Sequence, residues 1–148
     1  MVTKSISELI EGKPLVHAQA NEKVRTVARH MADSSVGAVA VLEGDKLVGM
    51  FTERDLMTRV VARDLDPDTT AVSKVMTRDV AVASPGERVE DAVSKMQALN
   101  CRHLPVIDEG QLVGMISLRD LLQADVKLSH ERVDLLNELV TYSPDYES

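Results

Sequence analysis

Two short segments of the sequence place a hydroxyl group and a carboxylate three residues apart. They read GMFTERDL at 49–56 and GMISLRDL at 114–121, and the pairs are Thr52 with Asp55 and Ser117 with Asp120. This spacing is typical of a helix N-cap, in which the hydroxyl accepts a backbone N–H of the first turn. A carboxylate one turn into a helix can also accept two hydrogen bonds from a cis-diol, and a helix start attracts anions. The two interpretations are compatible, and the duplication favours ligand contact by at least one aspartate.

An arginine precedes each aspartate, at Arg54 and Arg119. Each guanidinium either is solvated on a helix surface, or clamps a phosphate or forms a salt bridge, for which its forked donors are suited. The remaining residues offer no set for catalysis or metal binding. The single Cys101 and the four histidines lack metal-ligand spacing, and neither a Gly-rich phosphate loop nor a nucleophile elbow is present. We therefore predict no enzymatic activity, no catalytic residue and no metal site.

The composition bounds the partners of the chain. Its 148 residues are 44% hydrophobic but only 2% aromatic, so the core must be aliphatic, as suits parallel strands and amphipathic helices. The net charge is −7 and no basic run appears, whereas nucleic-acid binding needs a basic face. One cysteine excludes an intramolecular disulfide. Since no signal peptide pattern or membrane-length apolar run of about 18 residues is seen, we expect a cytoplasmic protein with no nucleic-acid or membrane partner.

The two segments belong to an internal repeat that covers nearly the whole chain. At a shift of 65 positions, LVGMFTERDLM (47–57) lies over LVGMISLRDLL (112–122), and the match extends upstream without gaps to Glu22 over Glu87. Before that point, ISELI (6–10) resembles VSKVM (72–76) at a shift of 66. Each repeat is about 60 residues, which is too small to bury a secure core alone. We therefore expect two repeats packed with pseudo-two-fold symmetry.

The hydrophobic pattern predicts the order β-α-β-β-α in each repeat, and hence an α/β (α+β) fold. In the first repeat we expect strands at 14–18, 37–43 and 46–52, a helix with the apolar stripe Val24, Val27, Ala28, Met31 and Ala32, and a second helix over 52–63 with Leu56, Val60 and Val61 inward. In the second we expect strands at 80–83, 103–108 and 111–117, a helix capped by Ser84 in SPGE (84–87), and a helix at 117–124.

These elements divide the chain into three predicted regions. Residues 1–65 form the first repeat, 66–126 the second, and 127–148 a C-terminal helix and tail. The boundary between the repeats falls in the polar segment RDLDPDTT (63–70). Within the last region, residues 129–140 have an amphipathic pattern that predicts an additional helix packed on this chain or on a partner.

The doubled motif, its lead-in VSKVMT (72–77) and the segment RHLPVID (102–108) resemble the cystathionine-β-synthase (CBS) domain family, over about residues 3–125. The resemblance implies a regulatory module that binds an adenosine-containing ligand (AMP, ADP, ATP or NAD, with S-adenosylmethionine less expected) in the cleft between repeats. It implies that Asp55 and Asp120 hold ribose hydroxyls and that Thr52 and Ser117 assist. It further implies a homodimer and an unidentified regulated protein. A ligand-free dimerisation scaffold is the alternative.

The repeats differ at the positions where ligand specificity would be set. The first has the small residues Gly37, Ala38 and Ala40, which let a flat purine approach the backbone; the second has Arg102, His103 and Pro105 there. Arg102 and His103 could meet a phosphate, and His103 could equally be a partly buried histidine bonded to backbone. His17 lies near the end of the first predicted strand, where members of the resembled family often present residues to the base. We therefore expect two unequal ligand sites.

Overall fold

A computed structural model describes residues 5–124 of the chain. Its helices and strands follow in the order α1 (Ile6–Ile10), β1 (His17–Gln19), α2 (Val24–Asp33), β2 (Ala38–Glu43), β3 (Lys46–Thr52), α3 (Glu53–Asp55), α4 (Val89–Leu99), β4 (His103–Asp108), β5 (Gln111–Ser117) and α5 (Leu118–Ala124). A π-helical turn at Leu56–Val61 continues α3, and a 3-10 turn occupies Val72–Lys74. The mixed fold with two repeats is confirmed. The predicted helix at 129–140 lies outside the described residues.

The chain divides into two compact units, and each unit combines segments of both sequence repeats. The Asp55 unit, as we name it, contains Pro14–Val80 with Gly110–Leu112. The Asp120 unit contains the described residues 5–13, 81–109 and 113–124. The segment that leads into the first repeat, which carries α1, thus belongs to the unit built mainly from the second repeat. The 3-10 turn that leads into the second repeat belongs to the Asp55 unit.

The core of the Asp55 unit is built around a three-stranded sheet of order β1-β2-β3. Strand β2 pairs parallel with β1 and antiparallel with β3, and its first five residues are buried. A continuous apolar run is what a strand with neighbours on both sides and covered faces requires. Helix α2 buries Val24, Val27 and Met31 in the same core, together with Phe51. The three buried residues of the predicted helical stripe are confirmed, while Ala28 is half-buried and Ala32 exposed.

The core of the Asp120 unit repeats this plan with a two-stranded sheet of β4 and β5. Helix α4 buries Val89, Ala92, Val93 and Met96 against it, and Leu118 and Leu121 of α5 complete the cluster. Ile6 and Leu9 of α1 pack into the same cluster, as does Ala83. The predicted bounds of β4 and β5 are confirmed. Both strand hairpins turn on two residues, and Gly44 and Gly110 supply the positive φ that such turns need.

The two lead-in segments, which we define as residues 6–13 and 72–79, are each fixed by their first two backbone N–H groups, which have no partner inside a helical turn. In the Asp120 unit the N–H of Ile6 donates to the carbonyl of Glu87 at 2.9 Å, and that of Ser7 donates to the carbonyl of Pro85 at 2.8 Å. In the Asp55 unit the same bonds join Val72 to Glu22 at 2.8 Å and Ser73 to Ala20 at 3.1 Å. The equivalence of ISELI and VSKVM at a shift of 66 is thereby confirmed in their contacts.

The lead-ins cross the sheets at the glycines of the repeated motif. A Cβ atom at Gly49 would lie 2.6 Å from Sδ of Met76 and 2.8 Å from the carbonyl oxygen of Thr77. A Cβ atom at Gly114 would lie 2.8 Å from Cγ2 of Ile10. Real Cβ atoms do not approach other atoms so closely. Both copies of the motif therefore keep glycine because another chain segment occupies the space of a side chain.

Four sequence predictions differ from the structure. Residues 80–83 form no strand, since only Ala83 makes a bridge, to Val106. SPGE does not begin a helix; α4 begins at Val89, and the SPGE carbonyls receive the lead-in instead. The first strand is His17–Gln19 rather than 14–18. Val61 is 66% exposed because the π-helical turn rotates it away from the core, where Val60 is buried.

Replacing either crossing glycine with alanine should destabilise the protein. We expect Gly49→Ala and Gly114→Ala each to lower the free energy of unfolding by about 1–3 kcal/mol, because the methyl group overpacks a filled space. Gly49→Ala should cost more, since the backbone of Thr77 cannot rotate away.

The matched control is Gly86→Ala, where a Cβ meets no atom within 4 Å. Its free energy of unfolding should be unchanged or raised by at most about 1 kcal/mol. Urea unfolding followed by circular dichroism measures all three. Equal stability of the three variants would refute the crossing geometry.

Candidate functional site

The first copy of the Thr/Ser-x-x-Asp motif is a closed polar cluster in the Asp55 unit. The hydroxyl of Thr52 accepts the N–H of Asp55 at 3.1 Å, and the N–H of Thr52 donates to Oδ2 of Asp55 at 3.1 Å, which makes a capping box. The hydroxyl of Thr77 donates to Oδ1 of Asp55 at 3.1 Å. Asp55 is only 5% exposed, and it is the one buried charged side chain among residues 5–124.

Arg59 completes this cluster from the π-helical turn. Its Nε lies 3.6 Å from Oδ1 of Asp55, and its Nη1 donates to the carbonyl of Met76 at 2.8 Å. Backbone pairing of Thr77 with Met50, at 2.8 and 2.9 Å, holds the hydroxyl in place. Both oxygens of the Asp55 carboxylate thus have partners from three parts of the unit. A buried carboxylate requires such partners, and losing one of them would leave a desolvated charge without compensation and destabilise the fold.

The second copy makes the same cap in the Asp120 unit but is more open. The N–H of Ser117 donates to Oδ2 of Asp120 at 2.8 Å, and the hydroxyl of Ser117 accepts the N–H of Asp120 at 3.1 Å. The side chain of Asp120 is 26% exposed. Its Oδ1 accepts a hydrogen bond from Nζ of Lys13 at 3.1 Å, and Lys13 is 49% exposed. Partial burial raises the pKa of Asp120, but these bonds outweigh that effect and lower the pKa below its ordinary value.

His103 lies beside this carboxylate at the start of β4. Burial, and then the nearby positive charge of Arg102, lower the pKa of His103 to about 4, although the charge of Asp120 acts in the opposite direction. The imidazole is therefore neutral at neutral pH and offers one donor nitrogen and one acceptor nitrogen. His103 could therefore contact a phosphate only through a hydrogen bond, without the positive charge of an imidazolium.

The backbone explains why these residues meet. The N–H of Leu118 donates to the carbonyl of Arg102 at 2.8 Å, which ties the start of β4 to the end of β5. In the Asp55 unit, Glu53 donates in the same way to Gly37 at 3.0 Å, and Ala38 pairs directly with Thr52. Ala38 therefore holds the position that His103 holds in the other unit.

The structure brings together some of the predicted site residues and separates others. Thr52, Asp55 and Ala38 meet in one unit, and Arg102, His103, Ser117 and Asp120 meet in the other. Arg54 and Arg119 are exposed on their helices. His17 is exposed and pairs with Ala40, on the edge of β2 away from β3. Pro105 is buried, and its carbonyl accepts the N–H of Ala83 at 2.9 Å, which gives it a structural contact.

Sequence reasoning missed Lys13, Arg59 and Thr77. All three contact a predicted aspartate, and Lys13 and Thr77 lie on the lead-in segments. The signal that could have found Lys13 and Thr77 was the gap of one residue before the repeats, which places the lead-ins outside the main alignment, whereas Arg59 lies four residues after Asp55 at helical spacing. Burial also raises the pKa of the Cys101 thiol, which is therefore less reactive than a free cysteine.

Across residues 5–124, no three His, Cys, Asp or Glu side chains come together as a metal ion would require. The helices of this range are all too short or too polar to cross a lipid bilayer.

Comparisons with known proteins agree with this fold. The family model of the CBS domain matches residues 6–62 and 72–127. The CBS domain-containing protein YhcV of Bacillus subtilis (strain 168) is 37% identical over 101 residues, which are 68% of this chain and 71% of YhcV. Other curated relatives are longer, and the chain covers 58% and 22% of two of them.

Two solved structures share the architecture. A protein with CBS domains from Burkholderia ambifaria MC40-6 has a TM-score of 0.77 and 30% identity, with 86% of this chain and 99% of that chain covered. The CBS domain pair of protein MJ0100, in complex with 5′-methylthioadenosine and S-adenosyl-L-methionine, has a TM-score of 0.74 and 23% identity, with 83% and 96% covered. At that identity the likeness concerns the fold alone.

The two aspartates should differ in their contribution to stability. We expect Asp55→Asn to lower the free energy of unfolding by about 2–3 kcal/mol, because it removes a buried charge that Arg59 and Thr77 bind. Asp120→Asn should cost about 1 kcal/mol or less, since its ion pair with Lys13 is exposed. Urea unfolding of both variants makes the comparison. Equal losses would contradict the assignment of a closed and an open carboxylate.

Acid should destabilise the fold through His103. The unfolded pKa is 6.5 and the folded pKa is about 4, so between these pH values the unfolded chain binds more protons. The free energy of unfolding therefore falls as the pH decreases from 6.5 towards 4, by at most about 3 kcal/mol. The lowered pKa of Asp120 adds a further loss only below its ordinary value of 3.8.

His103→Ala should remove this pH dependence. Alanine is the residue at the equivalent position of the other unit, Ala38. Urea unfolding of wild type and variant between pH 7 and about pH 4.5 measures the difference, and His17 and His30 are present in both. Parallel stability curves for the two proteins would show that His103 is not the titrating group.

Proposed function

The chain belongs to the CBS domain family, and we propose that it is a regulatory module that binds an adenine nucleotide at the Asp120 carboxylate and passes the change to a partner protein. CBS pairs are regulatory, ligand-binding modules. The observation that carries the proposal is the state of Asp120, which is fixed by Ser117 yet 26% exposed beside a lysine. A carboxylate of this kind is prepared to bind hydroxyl groups without rearrangement of the backbone.

The chemistry of a ribose suits this carboxylate. Each oxygen of an ionised aspartate accepts more than one hydrogen bond, so Asp120 can keep the N–H of Ser117 and still accept the two hydroxyls of a cis-diol. The lowered pKa of Asp120 keeps it ionised at neutral pH. Neutral His103 adds a donor or acceptor for the sugar or the base. These features support a nucleoside as the core of the ligand.

The ligand need not bind equally at the first copy of the motif. The Asp55 carboxylate is 5% exposed and already accepts hydrogen bonds from Thr52 and Thr77. A diol would have to displace Thr77 or Arg59, and the free energy of those contacts would oppose binding. We therefore propose Asp120 as the principal ribose contact and Asp55 as a mainly structural residue.

The identity of the ligand is narrowed by charge. The structure of MJ0100 contains two adenosine derivatives, 5′-methylthioadenosine and S-adenosyl-L-methionine. Here Lys13 brings a positive charge to the carboxylate, which favours AMP, ADP, ATP or NAD over a sulfonium compound. The ligand class we propose is thus an adenosine with a phosphate group.

We also propose a homodimer acting in the cytoplasm on an unidentified protein. Met57 and Val61 are 43% and 66% exposed on the π-helical turn. Exposed apolar surface of this kind marks interaction sites, and two-fold pairing is the commonest form of homo-oligomer. The free thiol of Cys101 suits a reducing compartment. Sedimentation at micromolar concentration would test the dimer, and a monomer would contradict it.

Ligand binding can be tested with AMP, ADP, ATP, NAD and S-adenosylmethionine by calorimetry and thermal shift. A ligand present at about 100 times its dissociation constant should raise the free energy of unfolding by about 2.7 kcal/mol. Asp120→Asn should weaken binding at least about tenfold, because its amide N–H groups cannot accept the diol. Asp108→Asn removes a charge from the exposed end of β4 and is the matched control.

The outcomes separate the alternatives. If no compound stabilises the wild type at millimolar concentration, the ligand-sensing function fails and the ligand-free scaffold is favoured. If a compound binds wild type and Asp120→Asn equally well, ligand sensing stands but the assignment of Asp120 fails.

A further inference from the structure

We propose that Lys13 selects phosphate-bearing ligands at the Asp120 site, because its ammonium group leaves the ion pair with Asp120 and forms an ion pair with the ligand phosphate. This inference rests on the proposed function and names the residue that sets its charge specificity. It is based on the side-chain contact between Lys13 and Asp120, two residues 107 positions apart in sequence. Neither the motif nor the main repeat alignment predicts this contact.

The contact has the geometry of a movable ion pair. Nζ of Lys13 lies 3.1 Å from Oδ1 of Asp120, while the two side chains are 49% and 26% exposed. An exposed pair contributes little to stability, so breaking it costs little. The Asp120 carboxylate does not depend on Lys13 for its position, because Ser117 holds the other oxygen at 2.8 Å. The lysine can therefore leave without disturbing the carboxylate.

The backbone of Lys13 is anchored, whereas its side chain is half exposed and makes its ion pair at the tip. Its N–H donates to the carbonyl of Ile10 at 3.2 Å, and Ile10 is seated on Gly114. Beyond that anchor, a flexible four-carbon stem carries an ammonium with three donors. The ammonium can thus be repositioned over a short distance around a fixed point.

The ammonium of Lys13 has to move only a short distance from Asp120 to reach the phosphate. When the 2′ and 3′ hydroxyls of a ribose bind Asp120, its 5′ phosphate lies one sugar ring away from the carboxylate. The ligand hydroxyls then take over the hydrogen bond at Oδ1, and the displaced ammonium binds the phosphate. Adenosine would displace Lys13 in the same way but offer it no anion. Binding of adenosine therefore loses one ion pair, whereas binding of AMP exchanges one ion pair for another.

The other unit carries the opposite charge at this position. At the shift of 66 that relates the lead-ins, Lys13 corresponds to Asp79, which is exposed. An aspartate there would repel a phosphate. The selectivity that we propose is thus a property of the Asp120 unit and does not come from the repeated motif, which both units share.

The test compares AMP with adenosine by calorimetry on wild type, Lys13→Gln and Lys46→Gln. Lys46 is exposed at the start of β3, so the control makes the same change in net charge without touching the Asp120 contacts. The measured quantity is the ratio of the two dissociation constants, which cancels effects on the ribose and base. We expect wild type to favour AMP by about tenfold or more, as a charge-assisted hydrogen bond contributes.

In Lys13→Gln this ratio should fall about tenfold, and in Lys46→Gln it should not change. The wild-type ratio should also fall with added salt, because the ion pair is exposed. An unchanged ratio in Lys13→Gln would overturn the inference while leaving the proposed function intact. A rise in affinity for both ligands would also overturn it, since Lys13 would then only compete for Asp120. If neither ligand binds wild type, the proposed function fails as well.

Discussion

The rest of the structure depends on one packing contact, in which each lead-in segment lies directly against a glycine of the repeated motif. Ile10 lies over Gly114 and Met76 lies over Gly49, at distances that leave no space for a Cβ atom. Two backbone hydrogen bonds to a turn fix each segment on the other side. Because each lead-in completes the core of the unit built mainly from the other repeat, neither repeat can bury its apolar surface with its own residues. The exchange is therefore part of the fold, and the glycines are what permit it.

The same contact determines how each aspartate is used. Both motifs form the same cap, and the difference between them comes from the residues just after the crossing residue. After Met76 the chain pairs with β3 and delivers the hydroxyl of Thr77 to Asp55. After Ile10 the chain turns, and Lys13 reaches Asp120 from a more exposed position. Two nearly identical sequences thus acquire different chemistry from segments outside them.

Much of the architecture could be predicted from the sequence because it depends on local pattern. Strands β2 to β5, helices α2 and α4, and both hairpin turns agree with periodicity and glycine placement. The residue types of SPGE predict a helix start, although its carbonyls instead receive the N–H groups of α1. The strand expected at 80–83 is absent because only Ala83 finds a partner. These errors share one cause, which is that tertiary contacts between distant segments decide the local structure.

Tertiary contacts also limit what the sequence can predict about the candidate site. The sequence identifies Thr52, Asp55, Ser117 and Asp120 but assigns both aspartates the same role, since the motif alone carries no information on burial. A buried carboxylate with three partners resists any ligand that must replace them, whereas a half-buried one whose lysine partner is exposed resists it less. A single aspartate could not easily serve both purposes. In the function that we propose, duplication removes that conflict, because Asp55 holds a lead-in in place while Asp120 is left to bind the ligand.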